Sequence, residues 1–478
     1  MVFSSIEFLL GFLPIFLVLY YVTPANYKNF VLFAGSLFFY AYGEPKYVLL
    51  LCASVIINYF CARILESRIK VSKKRKQKQK EIIKRKKAEL SRKLLFIGIV
   101  ALNVAVLALF KWAPDGMGLP LGVSFYTFQV ISYLADVYRG EIRAERSFLK
   151  LGTYICMFPQ LVAGPIVHYH EVSKVLERPR VTAKQFDSGL KTFVWGLMMK
   201  VLLADRLSIL WHELATIGYI SISTPLAWMG AISYSMQIYF DFYGYSLMAI
   251  GLGRMLGYEL PINFRTPYMA TSIREFYRRW HMTLGRWFTK YVYIPLGGSK
   301  KGMLRTLANL LFVWVLTSLW HGMNVNFLLW GMVLCALIML EKLIAKVTMG
   351  REKISPSNSS IFFMTCKKIV GHMYVLSVIP VTWMCFAINK TENLLVYLGR
   401  MFGLAEGTNV NPLIFDEKWA KYGVLMLVAA FMCTPVADKV FVKWKDRIPG
   451  MLVLVVLFWI CVRYLITMGN NPFMYFRF

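Results

Sequence analysis

The sequence predicts an all-α, polytopic integral membrane protein with about ten to thirteen transmembrane or re-entrant helices. Three observations predict it. The 478 residues are 58% hydrophobic and only 17% charged, where soluble domains carry about 25% charged residues. Apolar runs of roughly 17–25 residues, long enough to cross a hydrocarbon core as helix, recur along the whole chain. Lys and Arg outnumber Asp and Glu by 55 to 25, a formal +30, and much of that excess sits in one stretch.

In chain order, Met1–Val22 reads as a retained first span over 5–22. A cleaved secretory signal would begin with a basic region, but the first basic residue is Lys28 and the only early charge is Glu7. Further spans are expected near 46–65, 94–111, 190–204, 226–250, 305–320, 325–341, 368–388, 419–441 and 449–467. The apolar segments 29–42, 119–137 and 149–167 are short or interrupted by Gly, Pro and Gln, so they read as half-spans, re-entrant pieces or tilted helices. This leaves little chain for a separate soluble domain, and residues 1–478 are expected to form one membrane domain.

Between the second and third spans, residues 67–93 hold 14 Lys and Arg against Glu81 and Glu89. Short basic loops stay on the cytoplasmic side, so this run is expected there, anchored near anionic lipid headgroups or docking an acidic carrier or phosphate-rich donor. It contains no aromatic residue on which bases could stack, which excludes nucleic acid as a partner. Residues 342–367 and 442–448 are basic again. The 389–418 loop sets Lys390, Arg400 and Lys418 against Glu392, Glu406, Asp416 and Glu417, and is expected outside.

Several chemistries lack their signatures. The eight cysteines show no C-x-x-C pair, so neither a zinc site nor a disulfide framework is expected. No phosphate-binding loop, nucleophile elbow or internal repeat occurs, which removes support for ATP-driven transport and ordinary serine hydrolysis. Polar groups embedded in apolar sequence remain, and there burial is costly enough to make function the default reading. Of six histidines, His168, His170 and His212 lie near loop or helix ends and His372 begins a span; His281 and His321 stand apart.

The stretch from Arg305 to Glu341 would be about 55 Å long as one helix, far more than a bilayer core of about 30 Å, so it must fold back. Gly322, Asn324 and Asn326 are the breakers near its middle, which puts His321 at the turn. A neutral imidazole held there by Trp320 and the Asn side chains can serve as a general base; the alternative is a histidine that only satisfies helix-end backbone groups. In residues 264–299, helical spacing groups Phe276, Trp280, Leu284 and Trp287 on one apolar face, with Arg274, Arg278 and His281 opposite. That pattern is an interfacial amphipathic helix, or a basic face lining the path of an anionic donor.

Longer stretches carry a resemblance. They are LPLGVSFYTFQVISYLADVYRG (119–140), FPQLVAGPIV (158–167), YSMQIYFDFYGYSLMAIGLGRMLG (234–257), EFYRRWHMTLGRWFTKYVYIPLGGS (275–299), SLWHGMNVNFLLWG (318–331) and the ending NPFMYFRF (471–478). Through them the chain resembles the membrane-bound O-acyltransferase family and, within it, the alginate O-acetyltransferase branch.

The resemblance implies helices around a central funnel, with His321 and His281 as catalytic residues. Trp320, Asn324, Asp241, Gln237, Arg278 and Trp280 are expected along the substrate path. It also implies a cytoplasmic thioester donor, either acetyl-CoA or an acyl carrier protein, with no bound cofactor or metal. The acceptor would be a hydroxyl of a cell-surface polysaccharide or of a partner protein. The implied partner is an outward-facing serine-hydrolase-like protein, and the implied location a bacterial cytoplasmic membrane.

Two departures bear on acceptor or partner choice: Leu247 follows Gly244-Tyr245-Ser246 where the branch carries Asp, and Lys290 stands where Asp is common. D-alanyl transfer to teichoic acid is the alternative within the family. A polymer or lipid transporter and a non-catalytic scaffold are the alternatives of another class.

Overall fold

A computed structural model describes residues 1–73, 79–112, 118–354, 361–468 and 474. Among the described residues every regular element is helical. Six helices are long and apolar enough to cross a membrane: Pro45–Glu66, Lys87–Lys111, Met303–His321, Val325–Val347, Met364–Ala387 and Ile448–Met468. A bent pair, Leu413–Met432 and Pro435–Trp444, makes up to seven. The other expected membrane elements are helical too, but shorter or more polar. Thr224–Met255 is one helix of 32 residues whose Ser, Gln and Asp side chains are buried among protein, where a polar residue can be accommodated at membrane depth.

Three expectations change. The 419–441 span is not straight: it bends by 77° between Met432 and Pro435. Thr434 is extended at φ −90° and ψ 155°, because Pro435 lacks an N–H and its ring disfavours helix at the preceding residue. The basic run is largely helix rather than loop, since Val48–Lys73 and Gln79–Lys111 reach into it from both sides. Its Lys, Arg, Glu and Gln are good helix formers. Residues 74–78 within it, and most of the 471–478 motif, lie outside the described residues. The 389–418 loop contains the helix Thr391–Phe402, which buries Leu394, Tyr397 and Met401 at helical spacing. Its charges concealed that stripe. In the basic 342–367 stretch, Val325–Ile354 and Ile361–Ala387 likewise extend as helix.

Contacts divide the described chain into two compact units. The first comprises Met1–Val194, Tyr245–Pro261 and residues 465–468; the second comprises Trp195–Gly244, Ile262–Tyr464 and Met474. In the first, the long hairpin Val48–Lys73 and Gln79–Lys111 is clasped by two buried amides. Asn58 Nδ2 donates to Asn103 Oδ1 at 3.1 Å and Asn103 Nδ2 to Asn58 Oδ1 at 2.9 Å. Such reciprocal bonds between membrane helices contribute about 0.6–2 kcal/mol each and fix the register. Val123–Arg139 is buried from Val123 to Val137. It starts at Gly122, whose φ of +70° and position 2.2 Å from the Leu161 carbonyl oxygen, measured to an added Cβ, leave room for no side chain.

The second unit brings the 195–204 segment against the Thr224–Met255 helix at Gly244, where an added Cβ would lie 2.7 Å from the Gly196 carbonyl oxygen. Beside that contact the backbone widens into a π turn, Met199–Ala204. All the residues of the candidate site described below belong to this unit.

Candidate active site

The turn expected in the 305–341 stretch is present and short. Met303–His321 ends at His321, and the next helix begins at Val325. The first arm has 19 residues, about 28 Å as helix. Asn324 Oδ1 accepts the Asn326 N–H at 3.2 Å, satisfying one of the free donors at the start of the second arm. Asn324 Nδ2 donates to the Asn389 carbonyl at 2.9 Å, and Asn326 Nδ2 to the carbonyls of Ile388 and Asn389. Thr391 Oγ1 closes the knot on Asn326 Oδ1 at 3.0 Å. The two asparagines therefore pin the turn to the end of the Ile361–Ala387 helix. Lower down, Gly331 lets the arms touch: a Cβ there would lie 1.9 Å from Ser318 Oγ.

This construction holds His321 in an aromatic chamber. The imidazole is 4% exposed. Its ring centroid lies 4.5 Å from Trp320, 4.8 Å from Phe386, 5.2 Å from Trp330 and 6.3 Å from Phe327. Phe386 and Trp330 meet it nearly at right angles, 78° and 86°, an arrangement favoured by the ring quadrupoles.

His281 arrives from a different construction, and the amphipathic helix expected over 274–287 is broken there. Ile273–Arg279 and Met282–Phe288 are separate helices. Trp280 is extended, and His281 is left-handed at φ 42° and ψ 53°, a conformation uncommon outside glycine and, among other residues, taken most often by asparagine, aspartate and histidine. Phe276, Trp280, Leu284 and Trp287 are buried as expected. Arg274 and Arg278, however, stay exposed while His281 turns inward and is buried. The basic face and the histidine thus part company.

Asn263 holds the break. Its carbonyl accepts the Met282 N–H at 2.8 Å. Its Oδ1 accepts the Thr283 N–H at 3.3 Å and the Thr283 hydroxyl at 2.9 Å, and lies 2.9 Å from His281 Nδ1. A backbone N–H can only donate, so the amide oxygen must occupy that place. Nδ1 of His281 is therefore the protonated ring nitrogen, and Nε2 carries the lone pair. Burial pushes the His281 pKa down from 6.5 to about 3, which keeps the ring neutral at physiological pH.

The sign of that shift fixes a pH response. Between pH 6.5 and 3 the unfolded chain takes up a proton at His281 that the folded protein refuses, so folding stability falls as pH drops through this window. We expect a steeper loss of thermal stability below pH 6.5 in the detergent-solubilised wild type than in His281→Asn. Superimposable pH profiles would show that His281 does not titrate this way.

Trp320 links the two histidines, with its ring 4.5 Å from His321 and 6.4 Å from His281. Phe242 covers His281 at 4.7 Å. Trp280 joins the same aromatic body through Trp383 at 5.0 Å, and Trp383 in turn lies against Trp330 and Phe386. The structure therefore gathers His321, His281, Trp320 and Trp280. Asn324 is spent on the turn, and Arg278 is on the surface.

Asp241 and Gln237 lie in a separate cluster on Thr224–Met255. Gln237 Nε2 donates to Met474 Sδ at 3.2 Å, and Asp241 Oδ2 accepts the Met474 N–H at 2.8 Å. Lys200 Nζ sits 2.6 Å from both Asp241 Oδ1 and Asp205 Oδ1, with only 2% of its side chain exposed. Sequence reasoning missed Lys200, although a lysine inside the apolar 190–204 run was a readable signal. It also passed over Asn263 and Trp330, whose roles emerge only from tertiary contacts. Among the described residues no three His, Cys, Asp or Glu converge as metal ligands.

Comparison with known proteins places these features in context. The model of the membrane-bound O-acyltransferase family matches residues 140–376, which include both histidines. A "Probable alginate O-acetylase" of Pseudomonas fluorescens is 35% identical over 407 residues, 84% of this chain and 75% of that protein. A peptidoglycan O-acetyltransferase of Helicobacter pylori is 31% identical over 455 residues, 84% of this chain and 80% of its own. A teichoic acid D-alanyltransferase of Bacillus subtilis is 26% identical over 223 residues, 44% of this chain and 56% of its own.

Proposed function

Since the chain belongs to the membrane-bound O-acyltransferase family, we propose that it moves an acetyl group from a cytoplasmic thioester to a hydroxyl of a cell-surface polysaccharide, with His321 as general base. The protein is a multi-pass membrane O-acyltransferase. The observation that carries the proposal is the buried imidazole at the turn of a membrane hairpin, walled by Trp320, Phe327, Trp330 and Phe386. In that dry chamber a neutral His321 takes the proton of the acceptor hydroxyl as its oxygen attacks the thioester carbonyl. A thiolate then departs and recovers the proton. His281 is positioned by Asn263 at the far side of Trp320's contacts, with its lone pair on Nε2.

Acetyl is favoured over D-alanyl because the alignments to two relatives named for O-acetylation each cover 84% of the chain at 31–35% identity, against 44% and 58% at 25–26% identity for two teichoic acid D-alanyltransferases. On this reading the whole chain forms one membrane domain in a bacterial cytoplasmic membrane. The 67–93 run faces the cytoplasm, where its 14 basic residues attract a phosphate-bearing donor, acetyl-CoA or a carrier protein. An outward-facing serine-hydrolase-like partner receives the group or completes its delivery.

The test uses protein reconstituted in liposomes with labelled acetyl-CoA or labelled acetyl carrier protein on one side and polysaccharide on the other. Label is expected to appear in base-labile esters of the polymer with one of the donors, and to be lost in His321→Ala and His321→Gln. Near-normal transfer by either folded variant overturns the assignment of the base, whereas a wild-type protein that transfers label from neither donor points to the scaffold or transporter alternatives.

A further inference from the structure

Acyl transfer builds negative charge on the thioester carbonyl oxygen, and the catalytic chamber must supply a hydrogen-bond donor to meet it. The amides that the turn could offer are already used, because Asn324 Nδ2 and Asn326 Nδ2 donate to the Ile388 and Asn389 carbonyls. Trp330, in contact with His321, carries a donor that is not. Trp330 is 3% exposed, and its Nε1–H is buried with no acceptor among the described residues. A buried donor without an acceptor is rare in folded proteins and calls for an explanation. An acceptor that arrives with the substrate provides one.

We propose that the Trp330 indole N–H is the donor that holds the developing oxyanion during acyl transfer. The inference deepens the reading above and rests on it. Three features favour it. The indole meets the His321 ring at 5.2 Å and 86°, so an atom reacting beside the imidazole lies beside this edge-to-face pair. Its orientation is fixed before substrate binds by stacking near Trp383 at 6.1 Å and by contacts with Phe386 at 5.0 Å and Trp314 at 5.7 Å. The adjacent Gly331 lets its helix close onto Ser318, three residues before His321. A rigid donor in a dry chamber costs no reorganisation at the moment of reaction, which is what makes such groups effective.

The step balances as follows. The acceptor oxygen bonds to the carbonyl carbon and its proton passes to His321. The carbonyl π pair moves onto oxygen, where Trp330 N–H bonds to it. The pair returns, the carbon–sulfur bond breaks, and the leaving thiolate takes the proton from the His321 imidazolium. Ester and free thiol result, with His321 and Trp330 restored.

The experiment replaces Trp330 with 3-benzothienylalanine, which keeps the ring shape and puts sulfur where the N–H was. Trp330→Phe is the second variant. Both are assayed as full-length protein in liposomes with the donor that supports wild-type transfer. We expect kcat to fall by about 10²–10³-fold with little change in donor KM, because the bond forms only in the transition state. The same isostere at Trp459, which is exposed on the Ile448–Met468 helix, is expected to leave kcat unchanged. Wild-type kcat in the benzothienyl variant, alongside an inactive His321→Gln, overturns this inference alone. Activity retained in His321→Gln overturns the reading on which it rests.

Discussion

His321→Ala is expected to lower kcat for acyl transfer by about 10²–10⁴-fold, the usual contribution of a positioned general base. His321→Gln should fall nearly as far. Glutamine fills much of the same space and can hydrogen-bond, but it cannot take a proton from a hydroxyl. The pair of variants therefore separates packing from proton transfer. The architecture makes a local effect credible, because the turn is held by Asn324, Asn326 and Thr391 rather than by the imidazole. Folding is checked by the melting profile in detergent and chemistry by single-turnover transfer from a labelled donor. A His321→Gln protein that folds and transfers at wild-type rate would remove histidine from the reaction.

The second large effect is on stability. Lys200→Met should destabilise the protein by about 3–5 kcal/mol, the cost of removing one partner from a buried ion pair. Among the described residues Lys200 is the cation paired with Asp241, whose other oxygen accepts the Met474 N–H, so its loss strands a carboxylate that is 1% exposed. Asp241→Asn should be milder, since Lys200 keeps Asp205 at 2.6 Å. Lys200→Met combined with Asp241→Leu should recover part of the loss, because well-packed apolar groups often replace a buried pair without penalty. Melting temperatures of the four proteins decide the matter, and a Lys200→Met protein as stable as wild type would show that the pair contributes little.

The hairpin that carries His321 was legible because it rests on lengths. A run too long for one crossing, with Gly322, Asn324 and Asn326 as the only breakers near its middle, has one place to turn that leaves two arms of useful length. The burial of Phe276, Trp280, Leu284 and Trp287 was legible for the same kind of reason, since periodicity survives in short helical pieces. The reversal at His281 was not. No Gly, Pro or Asn marks residues 274–284 as a break, and the contacts that impose it come from Asn263, 18 to 20 residues away. Local propensity gave way there to tertiary hydrogen bonds. Lys200 was visible in the sequence as a charge in an apolar run, whereas its two carboxylate partners became evident only in three dimensions. Trp330 is silent in sequence because an aromatic residue in a membrane helix looks like packing.

The left-handed backbone at position 281 acts as a sieve on the residues that can stand there. Glycine passes freely, and asparagine passes because its short polar side chain tolerates the conformation. Valine and isoleucine are rejected by the clash of their branched carbons with the backbone. A His281→Ala protein would therefore lose the imidazole and carry a strained peptide together, confounding two causes in one assay. Asparagine leaves the chain direction intact, so a His281→Asn protein reports on the imidazole alone.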